Sequence, residues 1–174
     1  MPRLLDLLAA GALILTAAPA AAEGPDYSSL APAPEATIVA GGKACIGTSV
    51  ADAAGQNARL AGWAPATPAQ KEAMRTNDAN IVTRDNVMIA YKTGLVGGCV
   101  VIAKTEPTFD AAKFYSDLST AIGVTVAPDP SGQPAKVDLP NDELMVVVVA
   151  RNDAGTTVTL VVAHNAEANA KKGN

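Results

Sequence analysis

The chain has 174 residues, a formal net charge of −4 at pH 7, 49% hydrophobic residues and 3% aromatic residues. A mildly acidic chain lacks the basic face that phosphate groups require, so the composition argues against nucleic acid and anionic lipid as partners. The length suits one domain, and with so few aromatic side chains its core must consist mainly of Val, Ile, Leu and Ala.

The N-terminus is organised like a secretory signal peptide. Arg3 precedes an apolar run over residues 4–18, and the alanines at 20–22 provide the small residues that signal peptidase accepts. Residues 1–22 are therefore predicted to be removed by cleavage before Glu23. The run is shorter than the about 20 residues of a membrane span, so no stable span is expected after cleavage. The sequence predicts a periplasmic or secreted protein, with an uncleaved N-terminal anchor as the alternative.

Two polar segments are expected to flank the folded part of the chain. Residues 23–36 are rich in Pro, Ala and Ser and show no periodicity, which predicts a flexible leader. Residues 165–174 predict a disordered polar tail. Residues 37–164, between these segments, are predicted to form a single α+β domain.

Two helices are predicted in the first third of that domain. Residues 47–63 place apolar side chains at helical spacing, with Ser49 as the N-cap and Gly62 at the end. A shorter helix is predicted over residues 67–75, which begin with the Thr-Pro-x-Gln pattern of a capping box.

A strand pair is predicted next, at residues 86–92 and 99–103, joined by a turn that contains glycine. The first strand alternates between two faces. One face carries Val87, Ile89 and Tyr91, and the other carries Met88 and Ala90.

A third helix and a second hairpin complete the predicted elements. Residues 107–123 predict a helix that begins with a cap at Thr108 and ends at Gly123. Residues 143–164 predict a hairpin whose turn contains Asn, Asp and Gly. Residues 144–150 are continuously apolar, which predicts a central strand covered on both faces.

The order of helices and hairpins predicts the fold class. Consecutive hairpins favour an antiparallel sheet with helices on one face, an α+β two-layer sandwich. Both halves share the order helix then hairpin, so a tandem repeat is conceivable. Residues 127–142 hold four prolines and no firm periodicity, and they are predicted to form a long loop.

The two cysteines, Cys45 and Cys99, are predicted to form a disulfide, because an exported protein meets an oxidising compartment. A redox pair would need a C-x-x-C motif, which is absent. Two cysteines and one histidine do not complete a four-ligand zinc site without carboxylates. A thiol nucleophile paired with His164 would need one cysteine kept free.

Few other residues suggest catalysis. His164, the only histidine, is a candidate general base, although a solvent-facing strand end is the preferred interpretation. Asp138, Asp142 and Glu143 form an acidic patch that would suit glycosidase chemistry or calcium, but solvated carboxylates are commoner. The glycine pairs at 41–42 and 97–98 are interpreted as tight turns beside the cysteines.

We therefore expect a small exported binding or interaction domain without a catalytic role, stabilised by one disulfide. No cofactor and no metal site are predicted, and the partner is expected to be a protein or a small envelope ligand. Trp63 is interpreted as a core residue or an exposed anchor, and Thr157 and Thr159 as parts of a solvated sheet face. The alternatives are an envelope hydrolase that uses His164 with loop carboxylates, and a secreted enzyme inhibitor that presents residues 127–142.

Overall fold

The structure is a computed structural model that describes residues 30–48, 51–73, 79–92 and 98–164. The predicted signal peptide at 1–22, the first part of the leader and the tail at 165–174 lie outside the described residues.

The described residues form eight strands, four α-helices and one 3-10 turn. In chain order they are β1 (Pro32–Ala33), α1 (Glu35–Cys45), α2 (Ala53–Arg59), β2 (Ala64–Pro65), α3 (Pro68–Ala73), β3 (Asn80–Arg84), β4 (Val87–Lys92), β5 (Gly98–Thr105), α4 (Ala111–Ile122), β6 (Ala135–Leu139), the 3-10 turn (Pro140–Asp142), β7 (Glu143–Asn152) and β8 (Gly155–His164). None of the helices in the described ranges has the length and hydropathy needed to cross a bilayer.

The strands form one open sheet in the order β2-β3-β4-β5-β8-β7-β6, in which all neighbours are antiparallel. β1 adds to the end of β5 in parallel, with Pro32 opposite Lys104. α1 and α4 contact each other, and their buried residues join the core formed by one face of this sheet. The predicted α+β two-layer sandwich is confirmed.

Both halves of the chain contain a helix followed by a three-stranded meander, although α2, β2 and α3 stand between the two in the first half. α1 precedes the β3-β4-β5 meander and α4 precedes the β6-β7-β8 meander, and the halves meet where β5 pairs with β8. At this junction Val101 lies opposite Leu160. The repeat considered from the sequence as helix plus hairpin is thus a helix plus three strands.

α1 is the helix that the sequence analysis missed. Thr37, Ile38 and Val39 are β-branched and a glycine pair follows them, so local helix propensity is low. Packing against the sheet overrides it: a Cβ at Gly42 would stand 2.8 Å from Leu160 Cδ1. The interpretation of residues 41–42 as a tight turn is wrong, because these glycines let a helix approach the sheet closely.

The start of the domain also differs from the prediction. The leader was expected to remain flexible through residue 36, yet the chain already packs on the domain at Leu30. Pro32 then pairs with Lys104 of β5, past the point where the β4 pairing begins at Met88, and α1 begins at Glu35. β1 takes the side of β5 that β4 does not cover there, while β8 pairs with the other side, and this explains the earlier start of the domain.

The remaining differences between the predicted and the observed helix starts, in α2 and α4, follow from their N-caps. α2 is shorter than the predicted 47–63, because the side chain of Asp52 caps it by accepting a hydrogen bond from Gly55 N at 2.8 Å; Ser49 lies outside the described residues. α4 is capped by Asp110, whose Oδ1 accepts from Ala112 N at 2.8 Å, so the cap predicted at Thr108 is wrong.

Two other end signals are confirmed. Thr67 N donates to Gln70 Oε1 at 2.9 Å while Gln70 N donates to Thr67 Oγ1 at 3.3 Å, which is the predicted capping box of α3. Gly123 ends α4 in the left-handed conformation, with φ of 73°.

The sheet has two unlike faces. The face that meets α1 and α4 forms the main core, and Val87 and Ile89 are fully buried in it, whereas Met88 and Ala90 point to the opposite side as predicted. β7 is not covered on both faces: its burial alternates between residues shielded by the helices and half-buried residues on the other side. The shielded residues are Met145 and Val147, and the half-buried ones are Leu144, Val146 and Val148.

Candidate functional site

The predicted disulfide is present. Cys45, in the last turn of α1, is bonded to Cys99 in β5, with the two Cα atoms 5.4 Å apart and neither residue exposed to solvent. The bond fixes the end of α1 to the middle of the sheet. Because both sulfur atoms are bonded and buried, neither cysteine offers a thiolate for nucleophilic or redox chemistry.

His164 lies directly opposite Glu143 in the β7–β8 ladder. Residues opposite each other in an antiparallel pair have Cβ atoms about 4.5–5.5 Å apart, so a carboxylate and an imidazole start from neighbouring positions. Glu143 is 1% exposed, and its Oε2 accepts a hydrogen bond from Gly47 N at 2.8 Å. The imidazole of His164 lies outside the described part of the structure.

The acidic patch divides between the two faces of the sheet. Asp138 lies opposite Leu144 and is exposed, whereas the buried Glu143 lies opposite Leu139 on the face covered by the helices. Asp142 is in the 3-10 turn with φ of 59°. Among the described residues, no three His, Cys, Asp or Glu side chains group closely enough to hold a metal ion.

The predicted loop at 127–142 is partly a strand. Residues 135–139 form β6, whose alternating burial follows from the alternation of Ala, Val and Leu with Lys and Asp. The exposed remainder, residues 127–134, contains a turn in which Asp129 Oδ1 accepts from Ser131 N at 2.7 Å. Hydrogen bonds from the hydroxyl and backbone of Ser131 lower the pKa of Asp129. The segment available to an inhibitor is therefore shorter than the sequence suggested.

We call the sheet surface turned away from α1 and α4 the far face. Its centre is a row of three valines on neighbouring strands: Val100 lies opposite Val161, which lies opposite Val146. All three are half-buried. Beside Val100, Leu30 and Ala66 pack with the far-face residues Met88, Ala90 and Ile102 in a second apolar cluster. The neighbouring far-face residues on β7 and β8 are Leu144, Val148, Ala163, Thr159 and Thr157.

Thr157 and Thr159, which the sequence predicted on a solvated sheet face, lie on the far face, where both are half-buried. Their role in receiving a partner stays a prediction. Thr159 lies between Ile102 and Val148, so it belongs to an apolar row. The margins of the same face carry exposed charges, with Lys92 on one side and Lys136 beside Asp138 on the other.

Trp63 is half-buried, so it is neither a fully buried core residue nor a fully exposed anchor. It packs partly against the core, and its ring edge approaches α1, where a Cβ at Gly41 would be 3.3 Å from Trp63 Cη2. The guanidinium carbon of Arg84 lies 4.7 Å from the ring centroid, a cation–π arrangement. The ring also lines a cleft of about 420 Å³, which we call the cationic cleft; its lining residues are Ala40, Lys43, Ala44, Ala58, Arg59, Ala61, Trp63 and Arg84.

Sequence reasoning missed the central residues of both surfaces. The valine row had a signal, because the alternation in β4 already showed that the sheet has a second apolar side. The cationic cleft had no signal in the sequence, since Lys43, Arg59 and Arg84 come from three separate elements. No family model matches the chain, and no significant match was found among curated proteins or solved structures.

Proposed function

We propose that this protein is an exported binding domain without a catalytic role, which holds a partner protein against its far face. The observation that carries the proposal is the row formed by Val100, Val161 and Val146, which leaves three neighbouring valines only half-buried. Contiguous apolar surface of this kind marks interaction sites, since water contact with it is unfavourable.

The surroundings of the row indicate the chemistry of the partner. Thr159 and Thr157 offer hydroxyl groups beside the row, along β8 from Val161. Lys136 lies opposite Val146 at one end of the row, and at the other end Lys92 follows Ala90, the residue opposite Val100, by two positions. An apolar centre with a polar rim is the usual anatomy of a protein–protein interface. The partner is therefore a protein surface with an apolar centre and a carboxylate placed opposite Lys92.

Export is supported by two features of the chain. Residues 1–22 have the organisation of a signal peptide. The Cys45–Cys99 bond fits an oxidising compartment, where disulfides form and persist. Both features fit a periplasmic or secreted binding protein.

The test is site-specific photo-crosslinking in an extract of the compartment that holds the protein. A photoreactive residue at position 161 is expected to give an adduct with one other protein, and the same residue at exposed Ser116 on α4 is expected to give none. Introducing Val146→Lys into the protein with the photoreactive residue at 161 should abolish the adduct. In a separate binding measurement with the purified partner, Lys92→Glu should weaken the affinity. The thermal midpoints of both variants should equal that of the parent.

Three outcomes would overturn the proposal. They are adducts of equal yield from positions 161 and 116, an adduct with a second copy of this chain alone, and an adduct that survives Val146→Lys in a folded protein.

A hydrolase is the second candidate, because Glu143 lies opposite His164 in the sheet. A carboxylate beside an imidazole is the orienting pair that a general base requires. If this candidate is correct, His164→Ala removes hydrolysis of ester or glycoside substrates by the purified chain without changing its thermal midpoint. Equal activity of the two proteins would exclude it.

A further inference from the structure

We propose that the cationic cleft is a binding site for a small organic anion that carries carboxylate or phosphate groups on a short apolar body. The cleft is separate from the far face, and the two proposals stand independently. Its evidence is that three cations line one cleft together with Trp63, the only tryptophan of the chain.

The three cations come from three different elements. Lys43 is in the last turn of α1, Arg59 ends α2 and Arg84 ends β3. No acidic residue is among the residues that line the cleft. In a chain whose net charge is −4, this local excess of positive charge gives the cleft an attractive field for anions.

The described residues form two ion pairs, and both are made by Lys113, which is not a residue of the cleft. Among the described residues, therefore, no carboxylate lies within 4 Å of the charged groups of Lys43, Arg59 or Arg84. Three cations line the cleft and no acidic residue is among its lining residues, so their positive charge is not compensated there. A bound anion supplies the counter-charge, and its attraction to the cations is stronger beside the half-buried indole than in bulk water.

The guanidinium groups of Arg59 and Arg84 are held in place by neighbouring groups that are not acidic. A Cβ at Gly47 would stand 2.9 Å from Arg59 Nη2, so the Arg59 guanidinium lies against the backbone there. Arg84 is held over the Trp63 ring at 4.7 Å. A guanidinium group presents a planar fork that matches a carboxylate or a phosphate, and one that is already positioned loses less entropy on binding.

The size and the lining define the ligand class. A cavity of about 420 Å³ lies in the range of about 300–1,000 Å³ typical of small-molecule sites. Four alanines, two on α1, one on α2 and one just after α2, supply apolar contact for a short hydrocarbon body, while the cations take the charged groups. They are Ala40, Ala44, Ala58 and Ala61.

Trp63 provides the readout, because it is the only tryptophan in the chain. The experiment titrates the oxidised chain from residue 23 with citrate and with pyrophosphate, and follows Trp63 emission and the heat of binding. We expect saturable binding that weakens as sodium chloride is raised, because salt screens the charges. Arg59→Gln should weaken binding about tenfold or more, since it removes the charge and the planar fork that match a carboxylate or phosphate.

The matched control is Lys71→Gln, which removes a cation from exposed α3 outside the cleft and is expected to leave the affinity unchanged. Thermal midpoints of both variants establish that they fold. The proposal is overturned if neither anion gives a saturable response, or if Lys71→Gln weakens binding as much as Arg59→Gln. Binding of a hexaglutamate peptide without binding of citrate or pyrophosphate would also overturn it, because the ligand would then be a protein.

Discussion

The carboxylate of Glu143 accepts a hydrogen bond from the backbone N–H of Gly47 at 2.8 Å, although 96 residues separate the two in sequence. Glu143 opens β7, and Gly47 follows the end of α1 by two residues. The contact therefore fastens the turn after α1 to the sheet, close along the chain to Cys45. Because Glu143 is 1% exposed, water cannot readily replace it.

Glu143→Ala is expected to lower the free energy of unfolding by about 1–3 kcal/mol, since it leaves the buried Gly47 N–H without its acceptor. Glu143→Gln keeps an acceptor oxygen at the same place and should lose less. Urea denaturation of the three proteins measures the difference. An alanine variant as stable as the parent would show that this hydrogen bond contributes nothing.

Removal of the disulfide should have a larger effect. The bond joins residues 54 apart in sequence, and closing a loop of that length stabilises by about 4 kcal/mol on the chain-entropy model. We expect the Cys45→Ala, Cys99→Ala double variant to lose about this amount in urea denaturation. Because both cysteines are fully buried, a thiol reductant should act on the parent only after urea is added. Rapid reduction of the native protein would contradict this placement.

Gly42→Ala separates helix propensity from packing. Propensity alone predicts stabilisation by about 1 kcal/mol, because Ala favours helices over Gly. The added Cβ would meet the Cδ1 atoms of two fully buried leucines, Leu160 at 2.8 Å and Leu118 at 3.1 Å. Overpacking a filled core costs about 1–3 kcal/mol, so we expect net destabilisation.

The control for this prediction is a double-mutant cycle with Leu160→Ala, which removes the nearer contact. Gly42→Ala should destabilise the Leu160→Ala background less than the parent. Equal effects in both backgrounds would mean that the glycine is not required for the approach of α1 to the sheet.

Asp117 on α4 predicts a pH dependence. The Lys113 ammonium donates a hydrogen bond to Asp117 and lowers its pKa, and Lys113 also reaches Glu35 of α1 at 2.7 Å. A carboxylate with a depressed pKa in the folded state stabilises the fold above its unfolded pKa of about 3.9, and this contribution is lost as pH falls through the folded pKa. The parent should therefore melt above Asp117→Asn at pH 6, with the difference disappearing near pH 2.

This difference should be small and should shrink in high salt, since the pair is exposed. A difference that grows on acidification would contradict the assigned direction.

Much of the fold could be predicted because its strands have period-two patterns and its turns have their own chemistry. The β7–β8 hairpin follows from a long apolar run and a turn that ends at Gly155, and α3 from the Thr67 capping box. The Cys45–Cys99 bond followed from the cysteine count and the expected compartment, without any knowledge of the fold.

What was missed depends on contacts between distant residues. α1 contains Gly42 and a β-branched run, so its helical state is decided by packing against the sheet and not by local preference. β6 lies in a proline-rich stretch and becomes a strand because the open edge of β7 accepts it. The cationic cleft joins side chains from α1, α2 and β3, which no local pattern connects.

The central proposal is that this is an exported binding domain in which the sulfur atoms of Cys45 and Cys99 form a structural disulfide. The most direct test is the intact mass of the protein isolated from its native compartment, with thiol alkylation under denaturing conditions but without reductant. We predict a chain that begins at Glu23, lacks the two thiol hydrogens and takes up no alkylating reagent. A chain that keeps residues 1–22 and is alkylated at Cys45 and Cys99 would contradict the account.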